Sequence, residues 1–85
     1  MGHAREQTKR LAAKLKQIRE ELNMSQDGII KFLDAEDNLI REDISKFERG
    51  VREPPLRVIL KYARALEIST DILIDDELEL PEIKS

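Results

Sequence analysis

Apolar residues recur at intervals of three and four along most of this chain, and nowhere do they alternate at intervals of two over the length of a strand. Leu11, Leu15, Ile18 and Leu22 are spaced four, three and four apart, which lines one side of an amphipathic helix. The pattern predicts an all-α fold. With 85 residues there is room for one small domain, so every helix must share a single core.

Local signals divide the chain into five helices. The first is expected from about Arg5 to Leu22. Ser25 stands where an N-cap belongs, and the helix it opens covers Gln26 to about Leu33, with Ile29, Ile30 and Leu33 inward. Asp34 to Asn38 forms a polar, acidic break. Helical spacing resumes with Ile40, Ile44 and Phe47, and Gly50 ends this third helix. Pro54 and Pro55 suit a turn into a fourth helix with Leu56, Ile59, Leu60, Ala63 and Leu66 as its inward stripe. Ser69 can cap a fifth helix through about Asp75. Beyond it, Leu78, Leu80 and Pro81 begin an extended tail. The divisions expected are an N-terminal extension (1–10), a helical domain (11–74) and an acidic tail (75–85).

Composition narrows the function classes. No cysteine is present, so there is no disulfide framework and no thiolate metal site, and a reducing compartment is expected. His3, the single histidine, stands near the start of the sequence and is not expected to be a ligand. No apolar run reaches the length of a membrane span and no signal-peptide pattern opens the chain, so a soluble intracellular protein is expected. Carboxylates are plentiful, yet no glycine-rich phosphate loop, Cys/His spacing or Ser/His pairing accompanies them, and no cofactor is implied. The acidic run DDELELPE, residues 75 to 82, lacks EF-hand spacing and reads as a solvated tail. A small enzyme is the weakest of the three function classes considered.

Net charge is −3, which on its face disfavours a nucleic-acid partner. The distribution changes that reading. Residues 1–20 carry six basic and two acidic side chains, a balance of +4, while residues 67–85 carry seven acids and one lysine, a balance of −6. The stretch between them holds eight bases and nine acids. One face of so polarised a molecule can bind an anion.

Three stretches carry a more specific signal: LKQIREELNMSQ, ISKFERGVREPP and LKYARALEISTDILI. Arg19 in the first helix, Ser25-Gln26 opening the second, and Ile44-Ser45-Lys46-Phe47-Glu48-Arg49-Gly50 ending the third occur in an order that resembles the lambda-repressor-like, or Xre-type, helix-turn-helix family over roughly residues 11 to 74. A proline turn and an Ala-x-x-Leu helix follow, as in that family. The resemblance implies a compact five-helix domain whose third helix enters the major groove of double-stranded DNA.

On the family pattern the base-facing positions are Arg41, Glu42, Ser45 and Lys46. Arg41 offers a planar fork to guanine O6 and N7, Lys46 a donor to guanine or phosphate, Glu42 an acceptor for cytosine N4, and Ser45 an adaptable hydroxyl. Gln26, Arg49, Arg52 and Arg57 are the phosphate-contacting candidates, with Arg10 and Lys14 behind them. Without the resemblance, these residues read as ordinary solvated surface. The family also pairs the helix 1 arginine with the helix 3 glutamate, which implies a structural ion pair between Arg19 and Glu48. Function then reads as a sequence-specific bacterial regulator, a repressor, acting as a homodimer in the cytoplasm on nucleoid DNA. Ile72, Ile74, Leu78 and Leu80 are the apolar residues left over for the dimer surface. The alternative is a protein-interaction module of antitoxin or transcription-cofactor type that keeps the same fold.

One departure bears on the geometry. From Gln26 to Ile44 the chain is four residues longer than the family pattern, and the surplus falls around Asp34 to Leu39. Asp34 stands where the family has a turn glycine, and Ile30 where it has a small residue. A longer loop or an extended helix is expected there, with Asp34, Glu36 and Asp37 turned away from phosphate.

Overall fold

The structure, a computed structural model, describes residues 10–83. His3 and the expected start of the first helix at Arg5 lie outside them. Five helices follow in order: α1 (Leu11–Glu21), α2 (Gln26–Phe32), α3 (Arg41–Arg49), α4 (Leu56–Leu66) and α5 (Thr70–Ile74). Arg10 is the N-cap residue of α1. Helix α1 packs on α3 and α5, α2 on α3, and α4 on α5. Their inward faces supply one core of Leu11, Leu15, Ile18, Ile29, Ile30, Ile44, Phe47, Val58, Ile59, Tyr62, Ala63 and Leu73, joined by Leu33, Ala35 and Leu39 from the α2–α3 connection.

Capping accounts for where the helices begin and end. The Ser25 hydroxyl accepts from the Gly28 N–H at 2.9 Å, and the Ser69 hydroxyl from the Asp71 N–H at 3.1 Å. Four helices end by one device, in which a left-handed residue lets the next N–H return to a carbonyl five residues back. These bonds run from Met24 to Arg19 (3.1 Å), Ala35 to Ile30 (3.0 Å), Val51 to Lys46 (3.1 Å) and Ile68 to Ala63 (2.9 Å). The left-handed residues are Asn23, Asp34, Gly50 and Glu67, with φ between 56° and 75°. Only Gly50 holds that conformation without a Cβ penalty.

The surplus residues form a longer loop containing one extra turn. The N–H groups of Asn38 and Leu39 both return to the Ala35 carbonyl, at 3.0 and 2.9 Å. Ala35 and Leu39 enter the core, while Glu36, Asp37 and Asn38 remain exposed. Three expected core positions, Ile40, Leu56 and Leu60, are corrected by this geometry and its neighbour. Ile40, spaced four before Ile44, is 65% exposed. Its backbone is extended (φ −120°, ψ 168°), so helical spacing does not apply to it and Leu39 takes the interior place. On α4 the buried stripe is Val58, Ile59, Tyr62 and Ala63, and Leu56 is 73% exposed. Apolar residues lie on both sides of this helix, and Val58 and Tyr62 take the inward positions expected for Leu56 and Leu60.

The acidic tail is not free in solvent. The Arg10 backbone N–H donates to Asp76 Oδ1 (3.0 Å), and its guanidinium donates to the Asp76 carbonyl (2.6 Å) and to Glu79 (3.0 Å). Lys14, 2% exposed, donates from Nζ to the carbonyls of Ile72 and Asp75 at 2.6 and 2.9 Å. Burial lowers its pKa, with the nearby Arg10 charge acting in the same direction. Lys14 therefore closes the C-terminal end of α5 and is withdrawn from any phosphate role, as Arg10 largely is. Ile74, Leu80 and Ile83 pack against the core. Two of the four residues expected to be left over for a dimer surface are thus already in use.

Two substitutions test this account. Glu67→Gly should raise stability by about 1 kcal/mol, because it relieves a left-handed non-glycine and removes an anion from the negative end of α4; thermal denaturation reads the gain. Tyr62 is fully buried, and its hydroxyl has no hydrogen-bond partner among the described residues. Burial, with the Glu48 charge adding to it, pushes the phenol well above the ordinary tyrosine range. Above about pH 10 the unfolded chain can ionise this group while the folded chain cannot, so stability should fall there. Tyr62→Phe should lessen that alkaline loss and, at neutral pH, stabilise by about 1 kcal/mol, as denaturant titrations at a series of pH values would show.

Candidate nucleic-acid interface

Helix α3 divides into two faces at 3.6 residues per turn. Ile44 and Phe47 are buried, and the Glu48 side chain is only 4% exposed. Arg41, Glu42, Ser45, Lys46 and Arg49 fall on the opposite side, within an arc of about 140°. Arg41, Glu42 and Arg49 are exposed, and Ser45 and Lys46 half-buried. All four base-facing candidates therefore share one surface with Arg49. The Arg49 Nε donates to the Ser45 hydroxyl at 3.1 Å. Arg41 lies 3.9 Å from Asp27 of α2, both side chains about two-thirds exposed, so this pair is weak and easily exchanged for another partner.

The orientation of that surface is set at the C-terminal end of α3 by an ion pair. Arg19 Nε meets Glu48 Oε2 at 2.8 Å and Arg19 Nη2 meets Oε1 at 2.9 Å, a two-pronged match of planar groups. The remaining nitrogen, Nη1, donates to the Met24 carbonyl at 3.0 Å. With the arginine side chain 17% exposed, the pair is largely withdrawn from water. The Glu48 hydrogen bond holds the Arg19 pKa above its ordinary value despite burial. One guanidinium thereby ties α1, the α1–α2 turn and the end of α3 together.

The front of α3 is set by Asp43. Its Oδ2 accepts the N–H of Ile40 at 3.0 Å, which caps the helix, and its Oδ1 accepts from Arg52 Nη1 at 2.8 Å. The Ile40 cap bond lowers the carboxyl pKa most; desolvation opposes it, and the Arg52 bond and charge add to the lowering. The Arg52 guanidinium also lies 5.3 Å from the centroid of the Phe47 ring, within reach of a cation–π contact. Sequence reading missed Asp43, although its place three residues after the N-cap is a capping-box position.

The phosphate candidates are distributed around this helix. Gln26 occupies the first position of α2 and is half-buried. Arg52 and Arg57 line one shallow depression beside the extra turn, together with Lys61, which sequence reading overlooked. Lys61 Nζ donates to the Asp34 carbonyl at 3.3 Å. On the other flank, Asp27, Lys31, Glu36, Arg41 and Glu42 line an open cleft between α2 and α3. The front of the interface therefore carries both signs of charge.

A family model described as helix-turn-helix matches residues 15–73, a span from within α1 to α5. No curated protein and no solved structure matched the chain.

Loss of the ion pair should be costly, because either partner left alone is an uncompensated charge in a largely closed site. Glu48→Ala should destabilise the fold by about 3–5 kcal/mol, and Arg19→Met/Glu48→Leu together by much less. Melting temperatures followed by circular dichroism would check both; an unchanged value for Glu48→Ala would reject this role for the pair.

Proposed function

Because the chain belongs to the lambda-repressor-like helix-turn-helix family of DNA-binding transcription regulators, we propose that it is a sequence-specific bacterial repressor that reads the major groove with α3. The observation that carries this reading is the arc of Arg41, Glu42, Ser45 and Lys46, turned away from the buried Ile44 and Phe47. In this reading Arg41 donates to guanine O6 and N7, Lys46 to guanine or a neighbouring phosphate, Glu42 accepts from cytosine N4, and Ser45 adapts to either partner. Gln26, Arg49 and Arg57 hold the register by contacting phosphate.

Affinity in a single small module is limited by its contact area, so we propose that the protein acts as a homodimer on two half-sites about one helical turn apart. The cytoplasm, in association with the nucleoid, is its proposed location. Among the described residues no helix is long and apolar enough to cross a membrane.

A second reading has a specific observation behind it. Asp27, Glu36 and Glu42 are exposed around the cleft beside the front of α3, where phosphates would be repelled and a basic protein partner attracted. In that case the same face serves a protein-interaction module.

Fluorescence anisotropy on a mixed-sequence duplex pool, titrated at several salt concentrations, separates the two. The first reading expects wild type to bind with an affinity that falls steeply with salt, and a folded Arg41→Ala/Lys46→Ala variant to bind at least tenfold more weakly, since each good base contact is worth about 1–3 kcal/mol. Absence of binding even at low salt would move the assignment to the protein-partner reading.

A further inference from the structure

We propose that Arg52 is a positioning residue for the front of α3, acting through Asp43, and not a phosphate ligand. The inference rests on the reading that α3 enters the major groove. Arg52 follows α3 in the connection to α4, nine residues after Asp43, yet its side chain runs back along the helix to the first turn. One nitrogen of the guanidinium, Nη1, is spent on Asp43 Oδ1 (2.8 Å) and its Cζ lies over the Phe47 ring (5.3 Å from the centroid). Phe47 is a core residue, 1% exposed, so the arginine rests on a rigid platform.

Asp43 has the geometry of a part that needs holding. Both its oxygens are used, one by the Ile40 N–H and one by Arg52. The cap fixes the backbone from which Arg41 and Glu42 project, and a shift of the first turn would move both side chains relative to base edges. Asp43 is also an anion on the helix that is to approach phosphates. Arg52 cancels that charge at the place where it arises, so the cap is retained at a smaller electrostatic cost to binding. A phosphate ligand, by contrast, would need to present its fork outward.

Charge and shape can be separated experimentally. Arg52→Lys keeps the cation but loses the planar fork and the stacking, Arg52→Gln loses all three, and Asp43→Asn removes the acceptor charge from the other side. Duplexes selected by wild type from a random pool, and a non-specific duplex, would be titrated by anisotropy over a salt series. The clamp predicts that Arg52→Lys and Arg52→Gln each weaken the selected duplex by about fivefold, the scale of a lost cap. In Arg52→Lys, which keeps the cation, non-specific binding and the slope of log affinity against log salt should stay unchanged. Asp43→Asn should lose a similar factor, and Arg52→Gln/Asp43→Asn no more than either alone.

A phosphate ligand gives a different set of results. Arg52→Lys would then bind like wild type, and Arg52→Gln would weaken both duplexes alike and lower the slope by about 0.9; that pattern overturns the proposal. Amide hydrogen exchange on the free protein supplies a readout that needs no DNA. The Ile40 amide should exchange faster in Arg52→Lys, Arg52→Gln and Asp43→Asn, and wild-type rates in the arginine variants would also overturn the clamp. Wild type that binds no duplex would remove the groove reading alone, and the exchange rates would still decide whether Arg52 holds the cap.

Discussion

The two-pronged contact between Arg19 and Glu48 is the constraint on which the placement of α3 depends. Two planar charged groups in a largely closed site tolerate little displacement, because each lost hydrogen bond leaves a charged atom away from water. Their positions on α1 and at the end of α3 fix how these helices lie together. The third arm of the guanidinium, on the Met24 carbonyl, extends the same control to the turn that introduces α2. Helix α3 is short, and its buried face supplies only Ile44, Phe47 and the glutamate itself. Apolar packing alone would leave its rotation loosely specified.

Charge also works inside the molecule in a second way. The basic start and acidic end of the chain meet in space, where Arg10 holds Asp76 and Glu79 and Lys14 closes α5. Part of the polarity along the sequence is thereby used in fastening the tail to α1. The net charge of −3 is therefore a poor guide to what the α3 face offers a partner. Nearer that face, the extra turn sets Glu36 beside the front of α3 while burying Ala35 and Leu39. Its apolar anchors make it a packed part of the fold, and its acids give the interface a mixed sign.

Much of the helical layout was legible in the residues. Ser25, Gly50 and Ser69 mark helix boundaries through local chemistry that needs no distant partner, and the three–four spacing of α1 places Leu11, Leu15 and Ile18 inward. Family-like spacing pointed to Arg19 and Glu48 before any distance between them was known. The failures share a cause. Ile40 and Leu56 were assigned by spacing, but spacing holds only inside a helix, and where two sides of a helix are apolar it leaves the choice to the neighbours. Asn23, Asp34 and Glu67 close helices as glycine usually does; asparagine and aspartate tolerate that conformation better than most residues, but nothing in the chemistry of Glu67 announces it. Lys14 looked like a surface cation because a lysine's burial depends on carbonyls 58 and 61 positions away.

By itself the sequence determined that the chain is helical, where most of its helices start and stop, and which signature residues it carries. Those properties follow from backbone hydrogen bonding and side-chain periodicity within a few residues. Only the tertiary structure decided that Arg52 turns back onto Asp43 and Phe47, that Leu39 and not Ile40 enters the core, and that the acidic tail is fastened to α1. Each is a choice among partners that are equally suitable in chemistry, and it is made by the shape of the cavity left when the helices pack and by the cost of leaving a buried polar group without a partner.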